Sequence, residues 1–281
     1  KTESHITTDG SNTDDKKHVV VVGGGVGGLA VAARIAANNC GGDGDNNTKV
    51  TILEKNAQIG GRCGSFFVDV PSGRIRHERG PSLLLLPDVY RQLFTETTGK
   101  TAEDYGLEMK QCVPAYQVVF EDGERISVGY PRKADDDESL MQEEQESRKM
   151  MDSWEPNGAE KWDEYMTITS AYLDCGLPNF IEERLDLASF PNFLVQSLRD
   201  SAKAWPLKPH SDVLDAVFES NKLKALASFQ DLYVGLEPYK NPNLLAGGIL
   251  KSTAPAVFGL LAAIELHPSN EKAGGTFWEW L

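Results

Sequence analysis

Five of the six residues from Gly23 to Gly28 are glycine, and they follow directly on the valine run Val19 to Val22. A turn stripped of side chains in this way leaves room for something else to lie against its backbone. The short, unbroken β-branched run before it suits a parallel strand buried on both faces. After it come Leu29, Ala30, Ala33, Ile35 and Ala36, whose small residues let a helix pack close to a sheet. The expected order is strand, tight turn, helix.

Gly23, Gly25 and Gly28 keep the G-x-G-x-x-G spacing. Glycine at the first position permits the sharp turn, at the second it lets the backbone approach a pyrophosphate, and at the third it brings helix and strand together. The unpaired N–H groups and positive dipole end of the helix then attract that anion without a basic side chain. A second strand, Lys49 to Leu53, ends at Glu54, which is placed to hydrogen-bond a ribose hydroxyl. The surface loop Asn38 to Thr48 accounts for the long gap between Gly28 and Glu54. The glycine spacing alone also fits a plain βαβ turn, and it is the second strand and Glu54 that favour a dinucleotide. A carboxylate at that position repels a 2′-phosphate, which counts against NADP.

Further along, Gly60 and Gly61 precede Arg62. A glycine pair lets this loop run close to a bound cofactor, where the arginine can meet a phosphate or a ring system. By itself the segment also fits, less well, a surface turn with an exposed arginine. Gly80-Pro81 opens an apolar run, and Pro87 starts a helix reaching about Thr97 and closed by Gly99. Ala115 to Tyr130 reads as a hairpin turning at Asp122-Gly123. Trp162, Tyr165, Met166, Thr169 and Tyr172 recur at helical spacing, which makes them a helix core before a ligand stripe. Further helices are expected at Pro191 to Ala204, Ser211 to Glu219 and Lys222 to Val234.

Charge and cysteine usage exclude several classes. A net charge of -14 argues against nucleic acid, and the dense acidic stretch Asp135 to Glu146 reads as a solvated loop or exposed helix. Cys40, Cys63, Cys112 and Cys175 form no C-x-x-C pair, so neither zinc nor a redox dithiol is indicated and a reducing, intracellular compartment is expected. The five histidines, His77 and His210 among them, have no ligand spacing, and no Ser-His-Asp set is legible. No metal and no catalytic base are assigned. Lys1 to Lys17 is a polar tail unlike a secretory signal, and the chain lacks an initiator methionine, as expected of a fragment or of a product whose targeting segment has been removed. The longest apolar run, Ser252 to Ile264, contains Pro255 and falls short of the ~20 residues that span a bilayer. No transmembrane helix is expected.

The glycine turn with Glu54, the loop IGGRCGSF, the segment GPSLLLLPDVYRQLF and the stretch Phe229 to Leu260 together resemble the bacterial-type phytoene desaturase and carotenoid isomerase family, within the flavin amine oxidase-like superfamily. The likeness runs from about His18 to Leu266. It implies an α/β fold: a Rossmann-like FAD-binding domain with a second, mixed β-sheet and helical substrate domain. On that pattern residues 1–17 form a disordered tail, 18–98 begin the FAD-binding domain, 99–270 form the substrate domain with an acidic loop at 134–160, and 271–281 begin a return to the FAD domain. The family's C-terminal part would then be missing, since the chain stops soon after Gly274-Gly275.

The cofactor implied by the resemblance is FAD, with Gly23, Gly25 and Gly28 at the pyrophosphate, Glu54 on the adenosine ribose and Gly61 and Arg62 close to the flavin. Gly80 and Pro81 end an acidic-x-Gly-Pro motif that here starts with Glu78 in place of the usual Asp. The implied activity is desaturation or isomerisation of a long polyene such as a carotenoid precursor. Flavin amine oxidase, NAD-dependent dehydrogenase and a truncated non-catalytic relative are the rival readings. The implied partners are a hydrophobic small molecule and, by peripheral contact, a membrane surface, with Leu244, Leu245, Ile249, Leu250, Val257, Phe258 and Leu260 as candidates against the plainer reading of a buried helix pair. A plastid location follows if the source is photosynthetic and a transit peptide has been removed.

Overall fold

The valine run forms β1 (Lys17–Val22), which pairs in parallel with β2 (Thr48–Leu53), Val19 opposite Val50 and Val22 opposite Leu53. Between them runs α1 (Val26–Asn38). The computed structural model describes residues 17–38, 48–81, 83–130, 137–182, 188–200, 208–239, 254–267 and 278–280. The chain divides into two compact units, the first made of residues 1–82 and 89–108, the second of 83–88 and 109–281.

In the first unit β1 is not buried on both faces as the valine run suggested. Val20 is 47% and Val22 83% exposed. Among the described residues β1 pairs only with β2, and α1 packs on the face that carries Val21. The alternate residues therefore face solvent. A β-branched run reports a preference for extended backbone and burial, not whether a neighbour is there to bury it. After β2 the chain makes an antiparallel hairpin, β3 (Ser65–Val70) and β4 (Gly73–Glu78). Helix α2 (Pro87–Thr98) begins at the expected proline and is followed by Gly99 at φ +70°.

In the second unit β5 (Leu83–Leu84), β6 (Met109–Gln111) and β9 (Trp278–Trp280) form one sheet with β9 in the middle. The last strand thus pairs inside this unit, whereas the resemblance gave 271–281 to a return to the FAD domain; Gly274-Gly275 itself lies outside the described residues. The expected hairpin is present as β7 (Tyr116–Val119) and β8 (Arg125–Val128). Its turn is held by Lys222, which pairs with Asp122 and Glu124, while Trp154 Nε1 donates to Glu124 at 2.7 Å.

The segment expected as an acidic loop at 134–160 is largely helical: α3 (Glu138–Trp154) leads to α4 (Gly158–Gly176). Asp137 caps α3 by accepting from the backbone N–H groups of Ser139 and Leu140, and its own carboxyl is held below the usual range by those bonds and the Ser139 hydroxyl. The acidic residues stay in water on the helix surface, so the exposed-helix alternative holds. Helices α5 (Phe190–Asp200), α6 (His210–Val217), α7 (Asn221–Ser228) and α8 (Leu260–Leu266) follow. The single helix expected over Lys222 to Val234 breaks at Ser228 and continues as a 3₁₀ turn, Phe229–Val234.

The core of this unit surrounds α4. Trp162, Tyr165, Met166, Thr169 and Tyr172 are all buried there, together with Ile126, Val128, Leu214, Leu223, Leu226 and Ile264. Two polar networks cross it. His210 Nδ1 lies 2.7 Å from Asp231 and Nε2 lies 2.9 Å from the Tyr165 hydroxyl, which donates to the Ala227 carbonyl. Glu265, fully buried on α8, accepts from the Tyr116 hydroxyl at 2.8 Å, and Tyr116 in turn lies 2.5 Å from the hydroxyl of Tyr233. No helix among the described residues is long and apolar enough to cross a membrane.

Burial raises the Glu265 carboxyl from 4.5 to about 7, against the pull of Tyr116, Gln230 and Tyr233. A raised value in the folded state means that the fold binds this proton more tightly than the unfolded chain does. The stability it contributes is complete below pH 4.5 and is lost as pH rises to about 7. Glu265→Gln should therefore flatten the stability profile across that window, by at most about 1.4 kcal/mol per pH unit. Urea unfolding midpoints of the two proteins measured from pH 4.5 to 8 check this, and parallel profiles would refute it.

Candidate dinucleotide site

The glycine turn is shaped by one close approach and one positive φ. A Cβ on Gly28 would lie 2.1 Å from the Gly23 carbonyl oxygen, a distance that no side chain survives without moving backbone. Gly23 itself has φ +104°, a conformation that side chains rarely adopt. Gly23 N–H donates to the Leu53 carbonyl at 2.7 Å, and Leu29 N–H to the Gly25 carbonyl at 2.9 Å, so the end of β2 and the first turn of α1 meet here. No acidic residue of α1 itself lies in that first turn.

Glu54, at the end of β2, reaches back to this turn. Its Oε2 accepts from Gly24 N–H at 2.7 Å, and its Oε1 accepts from both the backbone N–H and the side-chain amide of Asn56, each at 2.8 Å. These donors, the Asn56 N–H first, hold the carboxyl below its ordinary value.

The second glycine loop is stitched to the first. Gly60 N–H donates to the Gly24 carbonyl at 2.7 Å, and Gly25 and Gly60 form a parallel bridge. A Cβ on Gly61, at φ +58°, would come within 3.1 Å of the Gly25 Cα. Arg62 stands exposed in the 3₁₀ turn Gly61–Cys63. Gly80 then packs on that turn, since its Cβ would lie 2.3 Å from the Arg62 carbonyl oxygen. The preceding residue, Arg79, donates its N–H to the Gly64 carbonyl at 2.9 Å. A cleft of about 560 Å³ opens beside the second loop, lined by Ile59, Cys63, Ser65 and Phe67 among others.

The structure therefore gathers Gly23, Gly25, Gly28, Glu54, Gly61, Arg62 and Gly80 along one continuous run of backbone contacts, with Pro81 next in the chain. Glu78, the start of the acidic-x-Gly-Pro segment, is taken up by an ion pair to Arg76 at 2.7 Å. Sequence reasoning passed over Asn56. Its signal is a polar residue two positions beyond a strand-ending carboxylate, where its backbone and side chain can close a local turn. It also passed over Gly24, whose absent side chain makes room for Ile59 and Glu54.

Residues 21–96 match the family described as NAD(P)-binding Rossmann-like domain. The chain is also 30% identical over 220 residues to proteins named 4,4'-diapophytoene desaturase (4,4'-diaponeurosporene-forming) from Staphylococcus aureus strains Newman, USA300 and bovine RF122 / ET3-1. The chain is thus similar to proteins named as diapophytoene desaturases. That similarity covers 78% of this chain and 38% of each relative, so the chain spans well under half their length. All eight expected site residues fall inside the Rossmann match at 21–96.

The steric reading separates two neighbouring glycines. Gly28→Ala should destabilise the chain by about 1–3 kcal/mol through overpacking. Gly27→Ala, with nothing within 4 Å of its Cβ, should be neutral or stabilising by up to about 1 kcal/mol. Thermal unfolding of the two variants beside the parent decides it, and equal destabilisation would contradict the assignment of close approach to Gly28.

Proposed function

We propose that this chain is the cofactor-holding part of a FAD-dependent oxidoreductase, a desaturase or isomerase whose substrate is a long polyene such as a carotenoid precursor. The convergence of the two glycine loops and the Gly80 turn on one edge is the observation that carries the reading. The open space beside Gly23, next to a helix N-terminus that Gly28 lets pack close and to a carboxylate, fits the pyrophosphate and ribose of a dinucleotide. The similarity to proteins named as diapophytoene desaturases favours a polyene over an amine as substrate.

Each residue then has a task. Gly23 and Gly25 let backbone N–H groups face the pyrophosphate, and Gly28 keeps α1 close enough to aim its N-terminus there. Glu54 accepts from a ribose hydroxyl and rejects a 2′-phosphate by charge. Gly61 brings Arg62 to the flavin side, and Gly80 and Pro81 support the Arg62 turn from beneath. Bound in this cradle, FAD would supply hydride-accepting chemistry at carbon–hydrogen bonds. The cofactor belongs to the unit holding 18–82, and the unit that resumes at 109 is assigned to the substrate.

A polyene partitions into lipid, so such an oxidoreductase would collect it by peripheral contact with a membrane. Of the residues expected at that contact, Leu244, Leu245, Ile249 and Leu250 lie outside the described residues. Val257 and Phe258 are half-buried and Leu260 is buried, which favours a packing role for this last one.

Purified with FAD, the chain should carry a flavin absorption band. Arg62→Ala should weaken FAD roughly three- to tenfold while leaving ADP unaffected, because only the flavin end loses a contact. Incubation of the full-length protein with FAD and phytoene or a poly-cis carotene should change the polyene spectrum. Equal loss of FAD and ADP affinity would remove Arg62 from the flavin side, and an unchanged polyene spectrum would end the substrate assignment.

A further inference from the structure

Resting on the dinucleotide reading above, we propose that Asn56 is a positioning residue, which presets the Glu54 carboxylate so that a ribose hydroxyl is received beside the glycine turn. The acceptor sites of the carboxylate point to it. An ionised carboxylate has about four, two on each oxygen. Asn56 occupies both sites on Oε1, with its backbone N–H and its side-chain amide each at 2.8 Å. Gly24 N–H takes one site on Oε2 at 2.7 Å. The Lys55 backbone is a weaker further influence on the carboxyl, and the site these three bonds leave is on Oε2, the oxygen already touching the loop that would cradle the pyrophosphate. A hydroxyl bonded there is delivered next to its own phosphates.

Without the Asn56 side chain the carboxylate keeps the backbone N–H of residue 56 on Oε1 and Gly24 N–H on Oε2 but loses the second donor to Oε1. It is then held less firmly, and ordering it on binding costs affinity. Asn56 meets that cost during folding. Its side chain is exposed and its two bonds to Glu54 are the hydrogen bonds it makes, so its removal leaves the packing of the first unit alone.

The test compares two probes, ADP and inorganic pyrophosphate, by titration calorimetry on the full chain. Asn56→Ala should weaken ADP roughly three- to tenfold and leave pyrophosphate binding unchanged, because only ADP carries a ribose. Asn56→Asp, the same size but with an acceptor and a charge facing Glu54, should weaken ADP further. Carbon NMR of the Glu54 carboxyl should show its titration moved upward in Asn56→Ala, and thermal unfolding should match the parent. Equal loss of ADP and pyrophosphate would make Asn56 a loop-building residue and overturn the inference. Glu54→Ala separates this proposal from the reading beneath it. If Glu54→Ala leaves ADP unaffected, the ribose assignment fails; if it weakens ADP and Asn56→Ala does not, the positioning role alone fails.

Discussion

The contact between Gly28 and the Gly23 carbonyl is the constraint on which the rest of the candidate site depends. With 2.1 Å available where a Cβ would stand, helix and strand can approach this closely only if no side chain is there. That approach aims the first turn of α1 across the end of β1 and brings Gly24 within reach of Glu54. Once Glu54 is tied to Gly24, the chain leaving β2 is held near the turn, and the bonds from Gly60 to Gly24 and from Arg79 to Gly64 follow in order. Each loop positions the next by backbone contact, which tolerates little variation in side-chain size but demands glycine at the crossings.

The second unit is organised on a different principle. Its helices are held by apolar burial around α4, and two polar clusters are buried with it, His210 with Asp231 and Tyr165 and Glu265 with Tyr116, while the Tyr172 hydroxyl lies in the core without a hydrogen-bond partner among the described residues. Burying a carboxyl without a cation opposite is costly, and the protein meets that cost by retaining the Glu265 proton up to about pH 7. At the surface Glu54 behaves in the opposite way, kept ionised by three N–H donors. One carboxyl is made neutral by burial and the other anionic by hydrogen bonding, and only the second is suited to recognising a sugar hydroxyl.

Much of the candidate site was legible because its requirements are local. Absence of a side chain, a strand-ending acid and a glycine pair before an arginine can each be read from residue type and spacing. The same reading failed where it assumed a neighbour. The valine run promised burial on both faces, yet Val22 is 83% exposed because β1 pairs on one side only among the described residues. The acidic stretch by itself fits a loop or an exposed helix, since a solvated surface is compatible with either backbone, and the capped helix from Asp137 decides for the second against the acidic loop that the resemblance gave. Asn56 was passed over because its role lies in a hydrogen bond to a side chain, not in its own residue type.

The sequence by itself determined the order of strand, turn and helix, the positions where a Cβ is forbidden, and the hairpin turning at Asp122-Gly123. These follow from covalent geometry and near-neighbour sterics, which do not depend on what the rest of the chain does. Only the tertiary structure decided that His210 would meet Asp231 and Tyr165, 21 and 45 residues away, and that Glu265 would meet Tyr116, 149 residues away. It alone placed β9 between β5 and β6. Desolvation and pairing across the fold depend on which group arrives opposite, and spacing along the chain carries no record of that.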